Sequence, residues 1–536
     1  MVELVSFSDA TPPCTADPAA GGGAQEIEIK FRTDVVGLES ALESRIFESA
    51  SPSRIENLRS IYFDTASNDL WNSGYSLRIR EKQNKGNSRP VLTLKWKPSV
   101  AREPFRRGEL EVPSVDLQPD LSLFDAQTAD SLAALLGGKP LKQEFETLIK
   151  RRIAEVTCGS SRIEVAFDEG HIVGGGQRVP VTEIELELKS GVEADLCDLA
   201  MKLAQDIPLR LDFVSKSEKG RRIALHRKPT PVKAEPVKFE PKAMLDGAVD
   251  VILSHTLAHF VANWAPLRES NDPESVHQLR VALRRMRSGL AILRQGIPFP
   301  DFEILRTEAK RISTALGPAR DCDVIRQLAE GPLSSPDCPP GGEALLTEIE
   351  RRRAVAYEDA RAVIDDSETT LFVLKVQRLL ASRAWCNALS GADAQLLAVP
   401  ATDFARETLD RLANRVLKRG KSLPDQSDEA RHKLRIAFKN LRYGVDFLAG
   451  DFSQKRQYRT FVKRIAEMQD LLGAHNDVVA ARQFLDKLSP SLGEEGQRAS
   501  GYILGWFARG ASLADGKLRR CWRRFKKTDR FWDPHA

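Results

Sequence analysis

The sequence predicts an α+β protein in which an N-terminal eight-stranded antiparallel tunnel β-barrel precedes an all-helical region. Three observations support this fold class. Between about residues 25 and 226, charged and apolar residues alternate with period 2 in several segments, as in strands. Between Arg227 and Lys242 four prolines interrupt the chain, and they cannot continue a helix or join a central strand. After that run the apolar residues recur with the helical period of 3.6.

These changes divide the 536 residues into four segments. Residues 1–24 are rich in Ser, Pro, Ala and Gly, a composition that predicts a disordered leader. Residues 25–226 form the strand-rich domain, residues 227–242 the Pro-rich linker, and residues 243–536 the helical domain. Each domain is long enough to bury its own core.

Eight segments have the composition and alternation of strands, which is enough to close a barrel. In chain order they are Gln25–Arg32, Ile55–Asp64, Tyr75–Glu81, Val91–Lys97, Phe105–Val112, Thr147–Cys158, Ser161–Asp168 and Val181–Lys189. Helices are expected at Gly37–Ala50, Thr128–Leu136 and Ala194–Ala204.

The first strand places Glu26, Glu28 and Lys30 on one face. A later strand does the same with four residues: Glu183, Glu185, Glu187 and Lys189. A half-exposed strand would place its charges in water, but strands rich in Arg and Lys lie between these two. Arg78 and Arg80 also share a face. The pattern therefore predicts a polar barrel interior, where carboxylates can hold a hard divalent cation and basic residues can hold phosphates.

The cysteine spacing and the lengths of the apolar stretches predict a cytoplasmic protein. Seven scattered cysteines with no CxxC spacing favour a reducing cytoplasm over a disulfide framework. No stretch of 18 apolar residues predicts a membrane span, and the N-terminus lacks a secretory signal pattern. The net charge is only +5, so local basic patches matter more than the sum.

The helical half contains an internal repeat that predicts a duplicated four-helix bundle. Val276–Arg287 matches Arg431–Arg442 at an offset of 155 residues. Each copy is followed, after a second helix, by a predicted turn that carries Gly and Asp, at Leu316–Asp321 and at Leu472–Asp477.

Six ordered motifs in the first half together resemble the CYTH domain over residues 25–226, and members of that superfamily are called triphosphate tunnel metalloenzymes. The motifs are Glu26-x-Glu28-x-Lys30, Tyr62–Thr65, Leu77–Glu81, Leu94–Lys97, Asp168–Gly170 and Glu183–Lys189. The helical half resembles the CHAD domain over about residues 243–530, an all-helical module often joined to CYTH domains.

The CYTH resemblance implies a triphosphate bound in the tunnel with Mg²⁺ or Mn²⁺. It implies four metal-ligating glutamates, acting directly or through water: Glu26, Glu28, Glu185 and Glu187. It implies seven phosphate-binding residues: Lys30, Arg78, Arg80, Lys95, Lys97, Arg151 and Lys216. Lys30 also counts among the catalytic residues, together with Glu111 or Glu183 as the group that positions the attacking water. The identity of the general base stays open.

One strand leaves its register open, because a slip of one residue reverses every side chain. Arg151 and Arg152 are the two candidates for the tunnel face, and we favour Arg151.

The CHAD resemblance implies that the repeated helix face binds inorganic polyphosphate. Helical spacing places its residues on one side of each copy: His277, Arg280, Arg284 and Arg287, and then His432, Arg435, Lys439 and Arg442. A solvated basic face and a metal site at the two histidines are alternatives. Asp321 and Asp477 are expected to cap helices or to orient basic side chains.

The sequence thus predicts a cytoplasmic inorganic triphosphatase with a polyphosphate-binding helical domain, and polyphosphate granules are a further candidate location. One rival is an adenylate cyclase, or a nucleoside or thiamine triphosphatase, on the same barrel. Another is a non-catalytic polyphosphate-binding or granule-targeting protein. No membrane partner is expected. The basic and aromatic residues of Leu518–Lys527 suit nucleic acid, but we prefer a basic helix that extends the polyanion surface.

Overall fold

A computed structural model describes residues 24–47, 54–83, 90–96, 104–240, 242–421, 423, 427–452 and 456–533. Residues 1–23 of the predicted leader, Lys97 and the last part of the predicted helix Gly37–Ala50 lie outside these ranges. The chain divides into two compact units, residues 1–227 and 228–536.

Unit 1 (residues 1–227) contains the predicted barrel. Its strands within the described residues are β1 Ala24–Arg32, β2 Arg54–Asp64, β3 Tyr75–Lys82, β4 Val91–Trp96, β5 Arg106–Pro113, β6 Lys142–Cys158, β7 Ser161–Gly174, β8 Gln177–Ser190 and β9 Arg210–Leu211. They run in the order β5-β4-β3-β2-β6-β7-β8-β1-β9 with antiparallel neighbours. Pairing of β1 with β5 closes β1–β8 into the eight-stranded barrel that the sequence predicts.

Short helices pack against the barrel. They are α1 Val35–Leu42, α2 Asp69–Asn72, α3 Ala126–Leu136, α4 Glu193–Asp206 and α5 Lys216–Ala224. The apolar residues that alternate with the charges on β2, β3 and β4 point outward and pack with α3, as Ile79, Leu92 and Leu132 show. This packing leaves the charged positions of the same strands for the interior.

Helix α5 packs against an apolar cluster at one end of the barrel. The cluster contains Tyr62 and Phe145, whose rings stack at 4.4 Å between centroids, and Ile223 of α5 packs against it. Gly220 approaches the Phe145 ring so closely that a Cβ there would clash with it. Leu58, Ile149, Ile172 and Val181 complete the cluster. The polar cavity therefore borders this apolar cluster, and Leu58 and Tyr62 line both.

Unit 2 (residues 228–536) is all-helical in its described residues. Its helices are α6 Leu245–Ala262, α7 Trp264–Glu269, α8 Pro273–Gly296, α9 Asp301–Ala315, α10 Gly317–Leu333, α11 Gly342–Ile364, α12 Ser367–Ser382, α13 Ala384–Asn387, α14 Gly391–Leu396, α15 Ala401–Arg419, α16 Asp428–Leu448, α17 Arg456–Leu488 and α18 Glu494–Lys526. The repeated helices α8 and α16 contact each other. None of the helices in the described ranges has both the length and the hydropathy of a membrane span.

The Pro-rich segment packs against unit 2 over much of its length. The Asn263 side chain accepts a hydrogen bond from the backbone N–H of Val232 and donates one to its carbonyl, each at 2.9 Å. Arg285 donates to the carbonyl of Glu235, and Val237 is buried. Residues beyond Arg227 therefore belong to the helical unit structurally.

The two copies of the repeat differ where both were expected to form turns. Leu316 separates α9 from α10, and Pro318 follows at the start of α10. The second predicted turn, at Leu472–Asp477, is wrong, because these residues lie inside the continuous helix α17. Position 474 is Ala, which retains the backbone N–H that the corresponding Pro318 lacks. Asp321 and Asp477 lie within helices, so neither is an N-cap.

Candidate functional site

The barrel interior holds a cavity of about 410 Å³, which the pleat of the strands lines with charged side chains. Eleven residues predicted for the site line it: Glu26, Glu28, Lys30, Arg78, Arg80, Lys95, Glu111, Arg151, Glu185 and Glu187 on the strands, and Lys216 on α5. Their strands follow one another around the barrel. Residues far apart in the sequence are therefore brought to one space.

Arg151, rather than Arg152, points into the cavity. It makes a forked ion pair with Asp168, with Nε–Oδ1 at 2.7 Å and Nη2–Oδ2 at 2.6 Å, and Nη2 also lies 2.5 Å from Glu185. Asp168 is fully buried. Burial alone would raise the pKa of this carboxyl, but Arg151 and Lys216 hold it below its usual range.

Lys216, at the start of α5, contacts three carboxylates. Its Nζ lies 2.7 Å from Asp168, 2.7 Å from Glu183 and 2.8 Å from Glu185. Burial lowers the pKa of the amine, but these carboxylates raise it well above the usual value, so the amine stays protonated. The Lys30 amine is held by carboxylates in the same way, since its Nζ lies 2.9 Å from Glu185 Oε1 and 3.6 Å from Glu28 Oε1.

Arg80 differs from these cations. Its Nε donates to the Ser60 hydroxyl at 3.2 Å, and no carboxylate among the described residues forms an ion pair with it. Burial and the charges of Arg78 and Arg151 lower its pKa to about 10. Arg78 lies beside it, with Nη2 3.5 Å from Glu109 and 3.9 Å from Glu111. Glu111 offsets part of the lowering of the Arg80 pKa. This wall therefore has a guanidinium that makes no ion pair within the described residues, and its N–H donors suit an anion.

The opposite wall carries carboxylates. Glu26 lies 2.5 Å from Lys95, and Glu28 lies 3.0 Å from Arg107. Burial would raise the pKa of Glu28, but Lys30 and Arg107 lower it to about 2, so this carboxylate is ionised at neutral pH.

Strand register places three glutamates side by side on this wall. Glu28 of β1 pairs with Glu187 of β8, and Glu187 pairs with Glu164 of β7. All three line the cavity. Burial and the nearby Glu26 and Glu164 raise the pKa of Glu187, although Lys189 lies 2.6 Å away. Adjacent carboxylates repel each other unless a cation lies between them.

The donor set of this wall fits a hard divalent cation, because Mg²⁺ and Mn²⁺ prefer carboxylate oxygen. The described residues contain no group of three His, Cys, Asp or Glu side chains already arranged as a metal site. The carboxylates instead contact basic side chains, so a bound cation would exchange with or share those contacts.

Two predicted residues fall outside the cavity wall that the structure describes. Glu183 is buried beside Lys216 and Lys219 and does not line the cavity, because α5 covers it. Lys97 lies outside the described residues. Of the two candidates for positioning water, only Glu111 reaches the cavity.

The sequence reasoning missed several charged residues of the wall: Arg54, Glu56, Lys82, Arg107, Glu109 and Glu164. Period 2 would have found two of these from Glu111, since Arg107 and Glu109 share its face.

The repeated basic faces of unit 2 meet between α8 and α16. Arg284 of α8 donates to the Tyr443 hydroxyl of α16 at 2.7 Å. Burial together with Arg284 and Arg435 lowers the pKa of Lys439 to about 7, and Arg280 adds to this effect. Burial lowers the pKa of Arg280, Arg287 and Arg435 as well. The cluster therefore concentrates positive charge that nearby carboxylates offset only in part.

The two copies share one further feature. Asp321 acts on Arg280 and Asp477 acts on Arg435, and each carboxylate partly offsets the lowered pKa of its arginine. The orienting role, which was the alternative to capping, stays a prediction for both aspartates. Arg442 instead pairs with Asp446 at 3.0 Å on its own helix.

The histidines provide no metal site in the described residues. Burial and Arg320 lower the pKa of His277. On the C-terminal helix, Trp522 and Phe525 are buried against Phe438, so they are not free to stack on bases. Arg519 and Arg520 are exposed on the same helix. This arrangement favours a basic surface over a nucleic-acid platform.

Comparison with known proteins identifies both units. The CYTH domain family model matches residues 24–220, and the CHAD domain model matches residues 251–486. An inorganic triphosphatase of Haemophilus influenzae is 29% identical over 202 residues, which are 37% of this chain and 54% of that protein. The chain therefore spans about half of that relative's length.

Two further similarities cover other parts of the chain. An uncharacterized Mycobacterium tuberculosis protein is 24% identical over 86% of this chain and 88% of its own length. Among solved structures, the CHAD domain of Ricinus communis covers 55% of this chain and 96% of its own, with 26% identity and a TM-score of 0.47.

Proposed function

Because the chain belongs to the proteins that join a CYTH domain to a CHAD domain, we propose that its barrel hydrolyses inorganic tripolyphosphate and that its helical unit binds polyphosphate. One observation carries the first part: a closed barrel interior in which Arg80, whose guanidinium makes no ion pair within the described residues, faces a row of glutamates across the same cavity. The name of the Haemophilus influenzae relative supports a hydrolase.

The basic wall would bind the triphosphate. Arg80 and Arg78 on β3 would contact phosphate oxygens, with Arg151, Lys30, Lys95 and Lys216 adding charge around the chain of phosphates. A phosphate that entered would compete with the carboxylates for these cations, and Arg80 would gain an anionic partner at hydrogen-bonding distance in addition to the Ser60 hydroxyl. These Arg and Lys side chains would also stabilise the negative charge that develops on the departing pyrophosphate.

Glu26, Glu28, Glu185 and Glu187 would hold Mg²⁺ or Mn²⁺, which when bound supplies Lewis-acid polarisation of the phosphoryl group. In the reaction, water attacks the terminal phosphorus, the P–O bond to the bridging oxygen breaks, and phosphate and pyrophosphate leave. Glu111 is the carboxylate that we assign to positioning this water, since Glu183 does not line the cavity.

Organic triphosphates are a second candidate substrate class, because aromatic side chains line the same cavity. Trp71, Tyr75 and Trp96 are among its lining residues, and aromatic rings can stack on a base. An adenylate cyclase is therefore the alternative activity in this cavity. It would release pyrophosphate from ATP, whereas a triphosphatase would release phosphate.

Product analysis separates these candidates. Phosphorus NMR of the purified protein with tripolyphosphate should show phosphate and pyrophosphate in equal amounts. With ATP, release of ADP and phosphate would indicate a nucleoside triphosphatase, and release of pyrophosphate together with cyclic AMP would indicate a cyclase. If the protein retained polyphosphate on a filter but released product from neither substrate, the chain would be a binding protein.

The polyphosphate site would be the basic cluster between α8 and α16: Arg280, Arg284, Arg287, Arg435 and Lys439, with His277, His432 and Arg442 at its edges. A linear polyanion supplies evenly spaced charges that can neutralise such a cluster. We also propose a cytoplasmic location and an association with polyphosphate granules, which fluorescence imaging with a polyphosphate stain would test.

A further inference from the structure

Asp64, at the end of β2, holds the turn that leads into α2. Its Oδ1 accepts hydrogen bonds from the backbone N–H groups of Thr65 at 2.7 Å and Leu70 at 3.0 Å. Its Oδ2 accepts from the backbone N–H of Trp71 at 3.0 Å. Asp64 is only 2% exposed. One buried carboxylate thus fixes the segment that carries Trp71, whose side chain lines the cavity.

Arg221 joins this turn to α5. Its Nη1 lies 2.9 Å from Asp64 and 2.8 Å from Glu144 of β6, and its guanidinium lies 4.9 Å from the centre of the Trp71 ring. Arg221 is buried and does not line the cavity. It therefore connects three elements, β2, β6 and α5, without reaching the space where substrate would bind.

The α5 lysine that reaches the cavity is Lys216, at the start of the helix. Lys216 lies five residues before Arg221, about 7.5 Å along the helix axis. Its amine makes three ion pairs around Asp168, Glu183 and Glu185, and it lines the cavity. The hydroxyls of Ser217 and Ser76 are 2.6 Å apart at the same place. A shift of α5 would move Lys216 relative to the phosphate-binding wall.

We propose that Arg221 is a positioning residue: by linking α5 to Asp64 and Glu144, it sets the place of Lys216 and of the Trp71 ring at the cavity. This role rests on the proposed hydrolysis of a triphosphate. Misplacement of a catalytic group by about 1 Å can cost on the order of 100-fold in rate. We therefore expect an Arg221 substitution to lower kcat/KM mainly by displacing the Lys216 amine.

A double-mutant cycle tests this role in the full-length protein. Arg221→Met and Lys216→Met are measured singly and together by kcat/KM for tripolyphosphate. We expect each single variant to lose at least about tenfold, and the double variant to lose little beyond Lys216→Met, because residues that act as a unit are not additive. Losses that multiply, or an Arg221→Met variant with wild-type kcat/KM, would overturn the proposal.

Two further variants separate positioning from folding. Arg221→Lys keeps the charge within reach of one carboxylate, and we expect it to restore part of kcat/KM while the melting temperature stays near that of the wild type. Lys139→Met removes the exposed ion pair with Asp69 of the same turn, and it should change kcat/KM less than about twofold. Loss of activity in strict proportion to the folded fraction would show a purely structural role. An inactive wild-type protein would instead defeat the proposed hydrolysis, and the two failures are thus distinguishable.

Discussion

Glu28 and Glu187 face each other across the pair of strands β1 and β8. They belong to different ends of the barrel's sequence, yet their carboxylates line one cavity, and Glu164 continues the row on β7. Such a row is unfavourable without cations, and the basic side chains around it supply them in part. The arrangement suits the divalent cation and the polyanion that we propose for this cavity.

We expect Glu28→Gln to reduce metal-dependent triphosphatase activity by at least about tenfold and to raise the metal concentration needed for half-maximal rate. The amide keeps the shape but removes the charge that attracts the cation. Titration of activity with Mg²⁺ and Mn²⁺ checks this. Glu39→Gln, at an exposed position of α1, is the control. Equal metal titrations for Glu28→Gln and wild type would refute the ligand assignment.

We expect Arg80→Gln to raise KM for tripolyphosphate, because the phosphate loses a charged hydrogen-bond donor worth about 1.5–3 kcal/mol. The matched control is Arg59→Gln on β2. Arg59 does not line the cavity, and it pairs with Glu146 at 2.9 Å and Glu81 at 3.4 Å. Steady-state kinetics of the two variants should therefore differ. Similar KM values for both would remove Arg80 from the phosphate site.

Much of this site follows from strand alternation. The charged positions of eight strands had to share one side once their apolar neighbours were assigned to the other, so Glu28, Arg80 and Glu185 could be predicted. Glu183 could not, because its burial depends on how α5 packs against the barrel. The second repeat shows the same limit: a local motif predicted a turn, but Ala474 in place of Pro318 lets α17 continue.

Charge reversal in the helical cluster should weaken polyphosphate binding. We expect Arg280→Glu and Arg435→Glu each to reduce affinity and to lower the slope of log affinity against log salt, by roughly 0.7–0.9 per lost phosphate contact if polyphosphate releases counterions as nucleic acids do. Filter retention at several salt concentrations measures both quantities. Arg498→Glu, at an exposed site of α18, is the control. An unchanged slope for both cluster variants would contradict the proposed site.

The lowered pKa of Lys439, about 7, predicts that the proposed polyphosphate binding depends on pH. The amine is protonated below this value, so affinity should fall as pH rises from 6 to 8.5. Lys439→Arg, which stays charged, should show a flatter profile. Binding titrations at each pH test this, and a wild-type profile as flat as that of the arginine variant would refute it.

The lowered pKa of Lys439 also makes the stability of the folded chain depend on pH. An exposed lysine has a pKa near 10.4, so between about pH 7 and 10.4 the unfolded chain binds more protons at this position than the folded chain does. The contribution of Lys439 to stability therefore rises with pH in that window. We expect Lys439→Met to raise the melting temperature at pH 6 more than at pH 10. A larger gain at pH 10 would contradict the lowered pKa.

The most direct test of the account is phosphate release from tripolyphosphate, ATP and long-chain polyphosphate, each with Mg²⁺, Mn²⁺ or EDTA. We predict metal-dependent release that strongly favours tripolyphosphate, is abolished by EDTA and is reduced by Arg80→Gln. Absence of release from all three substrates under every condition, with polyphosphate still bound, would contradict hydrolysis in the barrel.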